Sequence, residues 1–156
     1  MVKSKRPCLK DQFCCVFSDS RRCREELTKG SLPEIARSAF KVRPPDLSFQ
    51  FKGSNGKILA TARSLTDLVT VLNDIPPSIV LFHTYRWMDD GLVVRSDLAL
   101  WVNYVLNDVE LSKMIYDLGK EAGKGELSPN DLKDRLHDIC RKREQELIAA
   151  ASLVIS

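Results

Sequence analysis

Apolar and polar positions alternate with period two in "LSFQFK", which puts Phe49 and Phe51 on one face of a strand. "GSNG" follows as a turn and "KILATA" returns, so a β-hairpin is expected over 47–62. Gly53 and Gly56 are expected to supply the positive φ of that turn. A Gly-Ser-Asn-Gly run also suits a phosphate cradle, but no Lys-Ser/Thr follows and no helix opens there.

Beyond the hairpin the period lengthens to that of a helix. Leu65, Leu68, Val69, Leu72 and Ile75 form one stripe over 64–75, with Ser64 placed to cap and Asp67 in the first turn. That stripe is expected to dock on the hairpin, and Pro76–Pro77 closes the helix. The run "IVLFHTYRWM" is read as a helix over 78–88 capped by Ser78, although its periodicity fits a strand equally well. A helix over 96–106 starts at Ser96 and Asp97 and buries Leu98, Trp101, Val102 and Val105. The next, over 108–118, carries Leu111, Met114, Ile115 and Leu118 and is expected to stop at Gly119. The last, over 129–152, opens with Ser128 and Pro129 and carries Leu132, Leu136, Ile139, Arg143 and Leu147 at three-to-four spacing. Its ending, "IAAASLVIS", is apolar all round.

These elements predict an α+β fold, a mainly helical single domain with one β-hairpin and a basic N-terminal extension. The 156 residues suit one core, and no apolar run reaches the roughly 18 residues of a membrane span. Charge divides the chain unevenly. Residues 1–45 carry eleven Lys/Arg against five Asp/Glu, whereas residues 46–156 carry thirteen against sixteen. "SLPEIARSAFKV" starts as a helix with Ser31 as cap and Glu34 three residues on, and "RPPD" ends it. The division is therefore drawn between a cysteine-bearing basic segment, 1–45, and a compact domain, 46–156.

Five cysteines lie at 8, 14, 15, 23 and 140. The odd count, and an N-terminus without an apolar stretch behind its charges, point to a reducing cytoplasmic setting rather than a disulfide framework. Cys8, Cys14, Cys15 and Cys23 are close in sequence but lack the paired Cys-x2-4-Cys chelates of structural zinc, so neither a metal nor another cofactor is expected. Arg21, Arg22 and Arg24 flank Cys23 and would make it the most reactive thiol if exposed. His137 and Cys140 sit three apart on the last helix, but two ligands beside Arg141 and Arg143 do not make a site.

Taken together, "SLTDLVTVLNDIPPSIVLFHTYRWMDDGLVVRSDLALWVNYVLNDVELSKMI" resembles a family of uncharacterised prokaryotic proteins. Its members combine a Ser-Leu helix start, a His-Thr-His run, an Asn-Asp-Phe plus Trp helix and a leucine helix after an acidic turn. The matching positions are Ser64 and Leu65, His83 and Thr84, Ser96 to Leu98, Trp101 and Leu111. The resemblance covers the central third of the chain and implies a shared fold, with no established activity to carry over. Tyr85 stands where the family often has its second histidine, and Ser-Asp-Leu replaces Asn-Asp-Phe.

Three functional readings follow. The first is a non-enzymatic accessory or interaction protein, with a protein partner contacting the basic leader and the apolar C-terminal end. The second is a small-molecule-binding or hydrolytic site at His83, Arg86 and Asp97, in which Asp97 would fix the imidazole tautomer. The third is weak nucleic-acid binding by Lys3, Lys5, Arg6, Arg21, Arg22 and Arg24, charges that suit phosphates without any motif for reading bases.

Overall fold

A computed structural model describes residues 31–87 and 94–155. Its helices are α1 (Leu32–Phe40), α2 (Leu65–Val71), α3 (Pro77–Thr84), α4 (Asp97–Tyr104), α5 (Val109–Gly123) and α6 (Pro129–Ile155). Strands β1 (Phe49–Lys52) and β2 (Ile58–Ala62) form the antiparallel hairpin, and β3 (Arg86–Trp87) pairs with β4 (Val94–Arg95) in a second, two-residue ladder. The fold is thus α+β and mainly helical, and the short β3–β4 ladder is an addition to the expected elements.

Helix starts follow from their caps. Ser31 and Glu34 form a reciprocal capping box on α1. The hydroxyls of Ser64, Ser96 and Ser128 accept from the backbone N–H of Asp67, Ala99 and Asp131, opening α2, α4 and α6. Asp108 does the same for α5 through Leu111 N–H. Ser78 does not cap α3. Pro77 already occupies the first helical position, where its fixed φ suits the helix, and Ser78 lies inside the first turn. The segment whose periodicity fitted two structures is therefore a helix as far as Thr84, and Tyr85 turns extended (φ −153°, ψ 117°) into β3.

Two helix ends differ from expectation. Backbone turns at Asn73 and Asp74 end α2 at Val71, before the proline pair, although Ile75 still reaches the core. Helix α5 runs through Gly119 to Gly123. A methyl group at Gly119 would overlap the Thr84 carbonyl, and one at Gly123 would overlap the Tyr85 ring. Both glycines serve close approach of α5 to the end of α3. Left-handed backbone is found instead at Gly56 in the hairpin turn, at Gly125, and at Asn107 between α4 and α5.

The spine is α6, against which α1, α2, α3 and α5 all pack, while α4 packs on α5 and α3. Leu132, Leu136, Cys140 and Leu147 carry the buried face of α6. In the hairpin, Phe49 and Phe51 point inward and β2 leaves Ile58 and Leu59 exposed, with α2 packed on it. Residues 31–45, separated from the hairpin in sequence by the proline pair, share this core, since Ile35, Ala36 and Ala39 are buried in it. Arg43 fastens the joint. Its guanidinium donates to Lys41 O, Ser38 Oγ and Val105 O, tying α1 to the end of α4.

No described helix is long and apolar enough to cross a membrane. The basic residues Lys3, Lys5, Arg6, Arg21, Arg22 and Arg24, and Cys8, Cys14, Cys15 and Cys23, lie outside the described residues.

Candidate functional site

His83 and Arg86, three residues apart, meet Asp97 where α3 ends and α4 begins. Ser96 makes the junction: its buried hydroxyl accepts from Ala99 N–H and donates to the His83 carbonyl at 3.5 Å. Asp97 then falls at the first position of α4, facing the last turn of α3.

The imidazole of His83 is 5% exposed and stands edge-on to three phenyl rings, Phe49, Phe51 and Phe82, at centroid distances of 5.3, 5.5 and 5.1 Å. The backbone N–H of Lys52 donates to its Nε2 at 3.1 Å. An accepting Nε2 leaves the ring proton of the neutral imidazole on Nδ1. Nδ1 faces Asp97 Oδ2 at 3.8 Å, too long for a hydrogen bond, and has no other partner. The histidine thus bridges α3 to the end of β1, with its acceptor nitrogen spent on backbone.

Asp97 is shared by two arginines. Arg95 Nε lies 2.7 Å from Oδ1, close but not aligned as a hydrogen bond, and Arg86 donates to Oδ2 at 3.3 Å. Burial pushes the Asp97 carboxyl up, but the facing His83 ring and the Arg95 and Arg86 charges outweigh it and hold it below its ordinary value. Arg86 also stacks over Phe82, its guanidinium carbon 4.8 Å from the ring centroid.

These groups line a cleft of about 410 Å³, walled on the other side by Ser48, Gln50 and Lys52 of the hairpin. Its formal charges are three cations, Lys52, Arg86 and Arg95, against the single carboxylate of Asp97. Lys52, Gln50 and Arg95 were not singled out from the sequence. The hairpin's polar positions read as solvent-facing, and Arg95 is an ordinary residue before a cap. Thr84 and Tyr85 do not belong to the cleft lining: the Thr84 hydroxyl is buried and donates to Val80 O, and the Tyr85 ring lies against Gly123.

A second groove, about 820 Å³, runs between α5 and α6. Its acids Glu110, Asp117 and Glu146 are balanced by Lys113, Lys142 and Arg143. Lys113 pairs with Asp117, Lys142 with Asp138, and Arg143 with Asp108 as well as both glutamates, so no cation is left over for an anionic ligand. At the other candidate pair, Cys140 is fully buried, and burial beside Asp108 and Glu144 pushes its thiol far up, which makes it inert. Among the described residues no group of three or more His, Cys, Asp or Glu side chains is placed to hold a metal ion.

No family model matches the chain, and no curated protein or solved structure shows significant similarity to it. The reading of the cleft therefore rests on its own geometry.

Proposed function

We propose that this domain is a non-catalytic accessory protein that takes an anionic ligand in the cleft between β1, α3 and the start of α4. One observation carries the reading: two arginines are held in place by opposite oxygens of one half-buried carboxylate, and together with Lys52 they leave the cleft with a surplus of positive charge. Asp97 thereby acts as an anchor for the guanidiniums. Each guanidinium has five N–H donors and uses only part of them on Asp97, so donors remain for a second anion.

The state of His83 favours binding over catalysis. A general base needs an accessible acceptor nitrogen within reach of the proton it removes. In His83 that nitrogen is occupied by the Lys52 amide rather than by a hydroxyl, a thiol or solvent, and the ring sits among phenyl groups. The imidazole holds the wall of the cleft.

Isothermal titration of the full chain with phosphate and citrate at low ionic strength tests the proposal. Saturable binding that weakens about tenfold in Arg95→Gln is expected, the size of one lost charge-assisted hydrogen bond. Absence of saturable heat with both anions, or binding indifferent to Arg86→Gln and Arg95→Gln together, overturns it.

A further inference from the structure

We infer that the ligand of this cleft is a small-molecule phosphomonoester, a dianion whose remaining part is apolar. The inference rests on the anion-binding reading above. Lys52, Arg86 and Arg95 against Asp97 leave two positive charges uncompensated. A carboxylate or a sulfate ester neutralises one of them, whereas a phosphomonoester at neutral pH carries about −1.5 to −2. The arrangement of donors also suits phosphate: the two guanidiniums flank the same carboxylate from its two oxygens, so their remaining donors serve several oxygens of one tetrahedral group.

Beside these charges and the polar Ser48 and Gln50, the cleft has an apolar patch. Phe82 is 44% exposed and shares the lining with Leu100, while Arg86 covers part of the Phe82 ring. With its phosphate on Arg86 and Arg95, a ligand lays its organic part on Phe82 and Leu100. A volume of about 410 Å³ falls within the range of small-molecule sites, which favours a free ligand over a phosphorylated peptide.

Binding has an internal consequence at His83. Its Nδ1 is a buried donor without an acceptor, 3.8 Å from Asp97 Oδ2. An anion that draws the two guanidiniums towards itself loosens their hold on Asp97 and lets the carboxylate close on Nδ1.

The test titrates the full chain with phenyl phosphate, phenyl sulfate and inorganic phosphate, following heat and the ring nitrogen resonances of His83. Phenyl sulfate has nearly the shape of phenyl phosphate with one charge fewer. Phenyl phosphate is expected to bind about tenfold more tightly than phenyl sulfate, the worth of a further charge-assisted contact. It should also exceed inorganic phosphate by about three- to tenfold through the aromatic contact, and Phe82→Leu should weaken phenyl phosphate more than inorganic phosphate. The Nδ1 resonance of His83 should move on saturation. If phosphate and citrate bind but phenyl phosphate gains nothing over phenyl sulfate or over inorganic phosphate, this inference falls and the anion site stands. If none of these anions binds, both fall. A phosphotyrosine peptide that binds more tightly than phenyl phosphate overturns the commitment to a small molecule.

Discussion

Arg143 on α6 grips Asp108, the cap of α5, with two parallel hydrogen bonds: Nε to Oδ2 at 2.7 Å and a terminal nitrogen to Oδ1 at 2.9 Å. Both side chains are buried, at 7% and 1% exposure. Asp108 does double duty, since Oδ1 also accepts from Leu111 N–H. Burial lowers the proton affinity of the Arg143 guanidinium, but its bonds to Asp108 and Glu146 raise it further, so the group stays charged.

Removing Arg143 strands the buried Asp108 carboxylate, and removing Asp108 leaves the buried guanidinium only the partly exposed Glu110 and Glu146. Arg143→Ala is expected to cost about 3–5 kcal/mol in urea unfolding, and Asp108→Ala a similar amount with the cap lost as well. The double variant Asp108→Asn/Arg143→Met should cost less than the sum of its single changes, because no buried charge is left without its partner. Strict additivity would contradict this account of the pair.

Gly119→Ala places a methyl group against the Thr84 carbonyl and forces α5 away from α3. A loss of about 1–3 kcal/mol is expected, the scale of overpacking, despite the better helix propensity of alanine. Gly53→Ala serves as the contrast: its nearest neighbour would be Asn55 Oδ1 at an ordinary 3.5 Å, and its backbone is not left-handed. Thermal melts of the two variants should therefore diverge, with Gly53→Ala close to the parent protein.

His83→Phe keeps a ring among the neighbouring phenyl groups and removes the acceptor for Lys52 N–H. The expected cost is about 1–3 kcal/mol, that of leaving a partly buried donor unsatisfied. Amide exchange should locate the loss, with the Lys52 amide exchanging faster than those in the middle of β1. Unchanged exchange at Lys52 would show that the imidazole does not hold the strand.

The Asp97 carboxyl is lowered in the folded protein, so it releases its proton more readily there than in the unfolded chain, where an aspartate titrates near 3.9. Its contribution to stability is complete above about pH 4 and disappears as pH falls through the folded value. Asp97→Asn should lower stability at neutral pH and flatten the part of the acid-unfolding curve that lies below about pH 4. Urea unfolding across that range measures both effects.

The caps and the periods made most of the helical framework legible. Ser31, Ser64, Ser96 and Ser128 each open the helix that their position announced, and the alternation of Phe49 and Phe51 marked the inward face of the hairpin. Local rules misled where a residue answers to a distant neighbour. Gly119 has the chemistry of a helix stop, but the Thr84 carbonyl, which nothing nearby in sequence reveals, explains its presence inside α5. The place of Arg143 on the apolar stripe of the last helix hinted at burial, but its partner lies 35 residues away. The candidate site was half legible. His83, Arg86 and Asp97 do meet, but Lys52, Gln50 and Arg95 enter only through the tertiary packing of the hairpin on α3.

The position of α6 in the chain has a bearing on how the protein is made. Synthesis delivers the N-terminal elements first. Here α1, α2, α3 and α5 all rest on the final helix, and Leu132, Leu136 and Leu147 fill the centre from it. Until α6 is made, the faces of α1, α2, α3 and α5 that rest on it stay uncovered, and Asp108 waits for its arginine. Closure of the core therefore waits for α6, and a chain released before that helix is complete would be a substrate for chaperones and proteases rather than a smaller version of the same domain.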